Sequence, residues 1–125
     1  MTGNQFLTPI LFIITIFSNH AAFSHGKHKH LPKVAECAKA ECTKAEIKKA
    51  TNEIVIPKYI AKGKIAKSWS NAELKNIQLK SMQKNQSRKE WVVQYFNKNE
   101  DVQKQNLYIF VKPNGVLIAV NHSGK

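Results

Sequence analysis

Glu90-Trp91-Val92-Val93-Gln94-Tyr95-Phe96 and Leu107-Tyr108-Ile109-Phe110-Val111-Lys112-Pro113-Asn114-Gly115-Val116-Leu117-Ile118-Ala119-Val120 decide the fold of this chain. The first stretch is rich in β-branched and aromatic residues. Alternation sets Trp91, Val93 and Tyr95 on one face of a strand and Val92, Gln94 and Phe96 on the other. The second stretch reads as a hairpin. Leu107, Ile109 and Val111 share one face, and Tyr108 and Phe110 share the opposite one. Pro113 presets the first turn dihedral, and Gly115 supplies the positive φ of a G1-type bulge.

Working back from the hairpin, Asn97 to Gln105 is a charged loop and Asn85-Gln86-Ser87-Arg88 reads as a turn. Ile77 and Leu79 alternate with polar residues in Leu74 to Met82, as on a half-buried strand. A short helix at Asn71 to Lys75, capped by Ser70, is the rival for the start of that segment. Lys64 to Ser70 is a connector. Before it, Thr43-Lys44-Ala45-Glu46 is a capping-box pattern, with Cys42 and Ile47 placed for a hydrophobic staple. Ile47, Ala50, Thr51, Ile54 and Val55 then share one helical face. Pro57 should kink this helix or end it near Ile56. Gly63 suits the left-handed residue that closes a helix. Val34 to Glu41, rich in Ala, Lys and Glu, has the composition of a further short helix. The elements predict an α+β domain over residues 43–125, with one kinked helix packed on a three- to four-stranded antiparallel meander.

The N-terminus carries a different signal. Phe6 to Phe17 is an almost unbroken apolar run, shorter than the about 20 residues of a membrane span. Ala22-Phe23-Ser24 follows with small residues at the positions a signal peptidase reads. Residues 1–24 are expected to be a secretory signal peptide cleaved after Ser24, an uncleaved anchor being the alternative. Cleavage leaves no transmembrane span and places the protein in the periplasm or outside the cell. Residues 25–42 are then a flexible His/Lys-rich leader that carries the cysteine pair.

The formal net charge is +12, from 20 Lys and Arg against 8 Asp and Glu. Such a charge favours anionic partners such as lipopolysaccharide, phospholipid head groups, nucleic acid or acidic proteins. Among the basic residues only Arg88 is an arginine. Arginine is what reads base edges, so sequence-specific nucleic-acid recognition is not expected.

A helix, a strand bearing Trp91-Val92-Val93, and two apolar strands around Pro113-Asn114-Gly115 resemble the PepSY-like domain. A closer resemblance is to small exported bacterial proteins of the domain of unknown function 6488 type. These open with a His-rich segment and end with an A-x-N-x-x-G-type tail, here Ala119-Val120-Asn121-His122-Ser123-Gly124. The resemblance covers residues 43–125. It implies a non-catalytic envelope module that binds or restrains other proteins, with no catalytic residues to carry over.

The residues with the most chemistry are His25, His28 and His30, in an H-x2-H-x-H cluster. Imidazole is the common ligand for Cu(II), Zn(II) and Ni(II). After cleavage, the amine and ring of His25 would chelate Cu(II) together, with His28 or His30 completing the set. The bland reading is a solvated leader with adventitious metal affinity. Cys37 and Cys42 are expected to form a disulfide in an oxidising compartment. Metal or redox use and two free thiols remain open. A bridge across so short a loop stabilises by about 2 kcal/mol. His122 stands alone in the tail and is expected to be solvated. Asn85-Gln86-Ser87 and Asn121-His122-Ser123 match the glycosylation sequon, which matters only in a eukaryotic source. No Ser, His and acid form a local nucleophile signature and no Gly-rich phosphate loop is present, so an enzyme is not expected. The readings in order are an envelope binding module, a metal binder or carrier, and a cationic binder of anionic surfaces.

Overall fold

The capping box at Thr43 forms as its sequence predicts. The Glu46 amide donates to Thr43 Oγ1 (3.2 Å), and the Thr43 amide donates to Glu46 Oε1 (2.8 Å). This launches α1 (Lys44–Ala50) in a computed structural model that describes residues 31–82 and 85–125. The helical run continues through a π-helical turn at Thr51–Val55 into α2 (Ile56–Ala61). Pro57 therefore does not end it. Proline lacks an amide, and its ring crowds the carbonyl four residues back, here that of Glu53. The wider turn, in which the Ile56 amide reaches the Thr51 carbonyl, makes the room.

That one-residue widening corrects the expected apolar face. Ile47, Ala50, Thr51, Val55 and Ile56 are buried, whereas Ile54 is 48% exposed. An undistorted helix would have turned Ile54 inward. The run closes at Gly63 (φ 73°). The Gly63 amide donates to Ile60 and the Lys64 amide to Tyr59, which is a Schellman closure.

Four antiparallel strands follow in the order β1-β2-β3-β4: β1 (Glu73–Met82), β2 (Asn85–Phe96), β3 (Asn106–Val111) and β4 (Leu117–Asn121). The fold is α+β, with the helical run on one face of a four-stranded meander. The expected turn at Asn85–Arg88 is strand, since β2 already begins at Asn85. The rival helix at Asn71–Lys75 does not form. A 3-10 turn at Lys67–Asn71 buries Trp69 and gives way to β1 at Glu73. β2 pairs with β3 only from Trp91 to Phe96, so the β1–β2 ribbon outruns the sheet. Leu79, opposite Trp91 at the last rung before that overhang, is 41% exposed rather than half-buried.

The core joins Ile47, Val55 and Ile56 to Trp91, Val93 and Tyr95 of β2, Leu107, Ile109 and Val111 of β3, and Leu117 of β4. Residues 31–42 also belong to the compact unit, which begins at Leu31. Val34 and Ala35 are buried, and no helix forms over Val34–Glu41. Local hydrogen bonding gives way to long-range bonds that clasp the β3–β4 turn. The Val34 and Ala35 amides donate to the Gly115 carbonyl, Cys42 donates to Pro113, and Leu117 donates to Pro32. Gly115 lies at φ 93°, and a Cβ there would overlap the Ala35 carbonyl oxygen. Both its dihedral and its clearance demand glycine.

One buried polar contact ties helix to sheet. Thr51 Oγ1 donates to the Lys48 carbonyl (3.1 Å) and lies 2.9 Å from the Tyr95 hydroxyl. Threonine has one hydroxyl proton, so Tyr95 donates to Thr51. Thr51→Val then strands a buried tyrosine donor and should cost about 1–3 kcal/mol. Tyr95→Phe leaves Thr51 donating to Lys48 and should cost about 1 kcal/mol. Chemical denaturation of both variants checks the order, and equal or reversed losses would refute the proton assignment.

Candidate functional site

Three features offer chemistry: the cysteine loop, the uncovered sheet face and the cavity at His122. The cysteine loop precedes α1. Cys37 and Cys42 form a disulfide with Cα atoms 4.9 Å apart, as expected from the sequence. Cys42 is buried and Cys37 half-buried. Glu46 reaches back over this loop. Its Oε1 accepts from the Thr43 amide, and its Oε2 accepts from the Ala38 amide inside the loop (2.9 Å). These backbone hydrogen bonds, that of Thr43 first and that of Ala38 second, hold the Glu46 carboxyl below its ordinary value. The two sulfurs and the Glu46 carboxylate lie within 4.8 Å of one another, a grouping of metal-ligand type among the described residues. Sequence reasoning assigned Glu46 to the capping box alone. The missed signal was positional: a glutamate three residues after a helix cap faces back toward the residue before the cap, which here is Cys42.

The sheet face opposite the helix is the second feature. Val92, Phe110, Ile118 and Ala119 line an open groove of about 410 Å³, together with Lys80, Glu90 and Lys125. The four apolar residues are half-buried, and no helix of the described residues covers them. Arg88 approaches Glu90, Nη2 to Oε2, at 3.7 Å. The tail bounds the groove at Gly124. Asn121 Oδ1 accepts from the Ser123 and Gly124 amides, and Asn121 Nδ2 donates to the Lys125 carbonyl. Gly124 (φ 80°) seats against the ring of Tyr108, where a Cβ would come within 3.3 Å of two ring carbons. This gives the A-x-N-x-x-G tail a physical meaning: asparagine folds the turn and glycine lets it pack.

Along residues 1–125 the sequence matches a family of unknown function, DUF6488. The chain belongs to DUF6488. Comparison with curated proteins and with solved structures gives no match.

In this DUF6488 chain His122 is half-buried rather than solvated. Its Nδ1 lies 2.8 Å from the Asn106 carbonyl, which can only accept, so Nδ1 carries the proton. The ring packs on Trp69 at a centroid distance of 5.9 Å, in a cavity also lined by Lys64, Glu100 and Lys104. The carbonyl at the start of β3 and the indole below were not foreseeable from a lone tail histidine. His25, His28 and His30, and the expected signal peptide, lie outside the described residues. No helix of the described residues is long and apolar enough to cross a membrane.

The Glu46 contacts make a pH prediction. A carboxyl held low by folding contributes stability that is complete above its unfolded value and is lost as pH falls through its folded value. Glu46→Gln should therefore lower Tm at pH 7, and the gap to the wild type should be smaller at about pH 3, below the ordinary carboxylate range. Thermal unfolding at both pH values is the check. A gap of the same size at both would assign the role to shape rather than charge.

Proposed function

We propose that this DUF6488 chain is a small exported, non-catalytic binding module of the cell envelope, of PepSY-like architecture. The single observation that supports this reading is the groove on the uncovered sheet face. An antiparallel sheet with one solvated face ordinarily alternates apolar inward and polar outward. Here the outward positions include Val92, Phe96, Tyr108, Phe110 and Ile118. The partner it fits is a protein segment that inserts an apolar side chain over Phe110 and carries carboxylates toward Lys80 and Lys125. A net charge of +12 speeds the encounter with such a partner. A photo-crosslinking residue at position 110 should capture a discrete envelope protein, whereas the same residue at exposed position 48 on the helix should not. No product at 110, or the same products at both positions, would sink the reading.

A second reading rests on the His25, His28 and His30 spacing: the leader binds Cu(II), Zn(II) or Ni(II), and the protein stores or carries the ion. Calorimetric titration of the oxidised chain should then give a submicromolar one-to-one site. His28→Ala combined with His30→Ala should abolish it. Unchanged affinity in the double variant excludes the leader as the site.

A further inference from the structure

We propose that the Cys37–Cys42 pair, once reduced, forms with Glu46 a binding site for a thiophilic d10 metal ion, Zn(II) or Cu(I). The site is separate from the sheet groove and uses none of the leader histidines. Its failure would leave both readings above standing.

The donor spacing comes first. Zn–S bonds of about 2.3 Å and Zn–O bonds of about 2.0–2.2 Å at tetrahedral angles hold donors roughly 3.5–3.8 Å apart. The Glu46 carboxylate lies within 4.8 Å of both sulfurs, so once the S–S bond breaks the three donors start from neighbouring positions. The carboxylate is preoriented. The Ala38 and Thr43 amides each occupy one of its oxygens, and each oxygen keeps a second lone pair for a metal. Hydrogen-bonded carboxylate ligands of this kind are the usual outer-shell arrangement of metal sites. Two thiolates and a carboxylate favour a d10 ion over the hard cations that take all-oxygen sites. Half-buried Cys37 leaves a side of the trio open, both for ion entrance and for solvent as a fourth ligand.

The frame survives reduction. Cys42 is held by its own amide on the Pro113 carbonyl (2.7 Å), and Val34 and Ala35 are held on Gly115. None of these bonds involves sulfur. The disulfide spans a sequence separation of only 5, so it restrains few unfolded conformations. The chemistry balances. A dithiol reductant delivers two electrons and two protons, the Cys37–Cys42 bond breaks to two thiols, and the reductant leaves as its own disulfide. Metal binding then forms two metal–sulfur bonds and releases the two thiol protons to solvent. The resulting donor set carries three negative charges within a chain of net charge +12.

The test compares the full chain, oxidised and reduced, by competition with a chromophoric chelator for Zn(II) and separately with a Cu(I) chelator. The leader histidines are present in both forms and cancel. The reduced chain should bind one further equivalent of at least one ion. Cys37→Ser with Cys42→Ser should lose that equivalent, and Glu46→Gln should weaken it about 10-fold or more. Co(II) offers a readout independent of any variant's folding: reduction should bring a near-ultraviolet thiolate-to-cobalt band and intense tetrahedral visible bands. No extra equivalent of either ion on reduction would overturn the proposal, as would Co(II) lacking the thiolate band. An extra equivalent indifferent to Glu46→Gln, in a variant of unchanged circular dichroism, would overturn the three-residue site.

Discussion

The amide that Pro57 lacks governs how helix and sheet meet. A proline inside a helix removes one hydrogen bond and crowds the carbonyl four residues earlier, at a cost of about 3 kcal/mol in an undistorted helix. This chain widens the preceding turn instead of breaking. The widening rotates every later residue by one position, which exchanges Ile54 for Ile56 at the core beside Val55. Thr51 stands at the start of the widened turn, where its hydroxyl donates back to Lys48 and accepts from Tyr95. Burial raises the Tyr95 hydroxyl above its ordinary value, and the bond to Thr51 offsets this only in part. Tyr95 therefore stays a neutral donor throughout the physiological range. The same proline thus sets the apolar face of the helix beyond Thr51.

A second constraint acts at the other end of the sheet. The β3–β4 turn presents carbonyls at Pro113 and Gly115 that the hairpin itself does not use, and Val34, Ala35 and Cys42 supply the amides. The lead-in must then turn sharply to start α1 at Lys44. The Cys37–Cys42 bridge and the Glu46 carboxylate both act on that bend, one covalently and one through two amides. At Gly115 the two chain segments pass so close that a methyl group is enough to separate them. A local loop and a distant hairpin therefore form one unit, which explains why Val34 and Ala35 are buried despite lying in a polar, lysine-rich stretch.

What could be read from the sequence was what local physics determines. The capping box, the Gly63 closure, the two faces of β2 and the hairpin around Gly115 each rest on a handful of adjacent residues. The misread positions each depended on something outside the residues that were read. Ile54 was read with a period of 3.6 because the remedy for Pro57 is not written in the helix itself. Asn85–Arg88 has turn composition, yet pairing with β1 draws it into a strand. Val34–Glu41 has helical composition, yet the carbonyls of a turn more than seventy residues away claim its first amides. The disulfide was legible because two cysteines in a short loop have few alternatives. The carboxylate beside it was not, because a capping glutamate already had a complete local explanation.

The outward face of the sheet is the part of the structure that folding alone does not explain. The inward positions Val93, Tyr95, Leu107, Ile109 and Val111 are almost entirely removed from water, so the core would be complete with polar residues on the other side. β2 and β3 nevertheless place Val92, Phe96, Tyr108 and Phe110 outward. Cross-strand pairing of Val92 with Phe110 contributes a few tenths of a kcal/mol to the sheet itself. Threonines at such positions would keep the strand propensity without the apolar surface. Exposed apolar surface in a chain of high net charge is kept from self-association by repulsion between like-charged copies. A partner of opposite charge meets no such barrier. On the proposed binding reading, a cationic body with an apolar groove favours an unlike, acidic partner over a second copy of the chain.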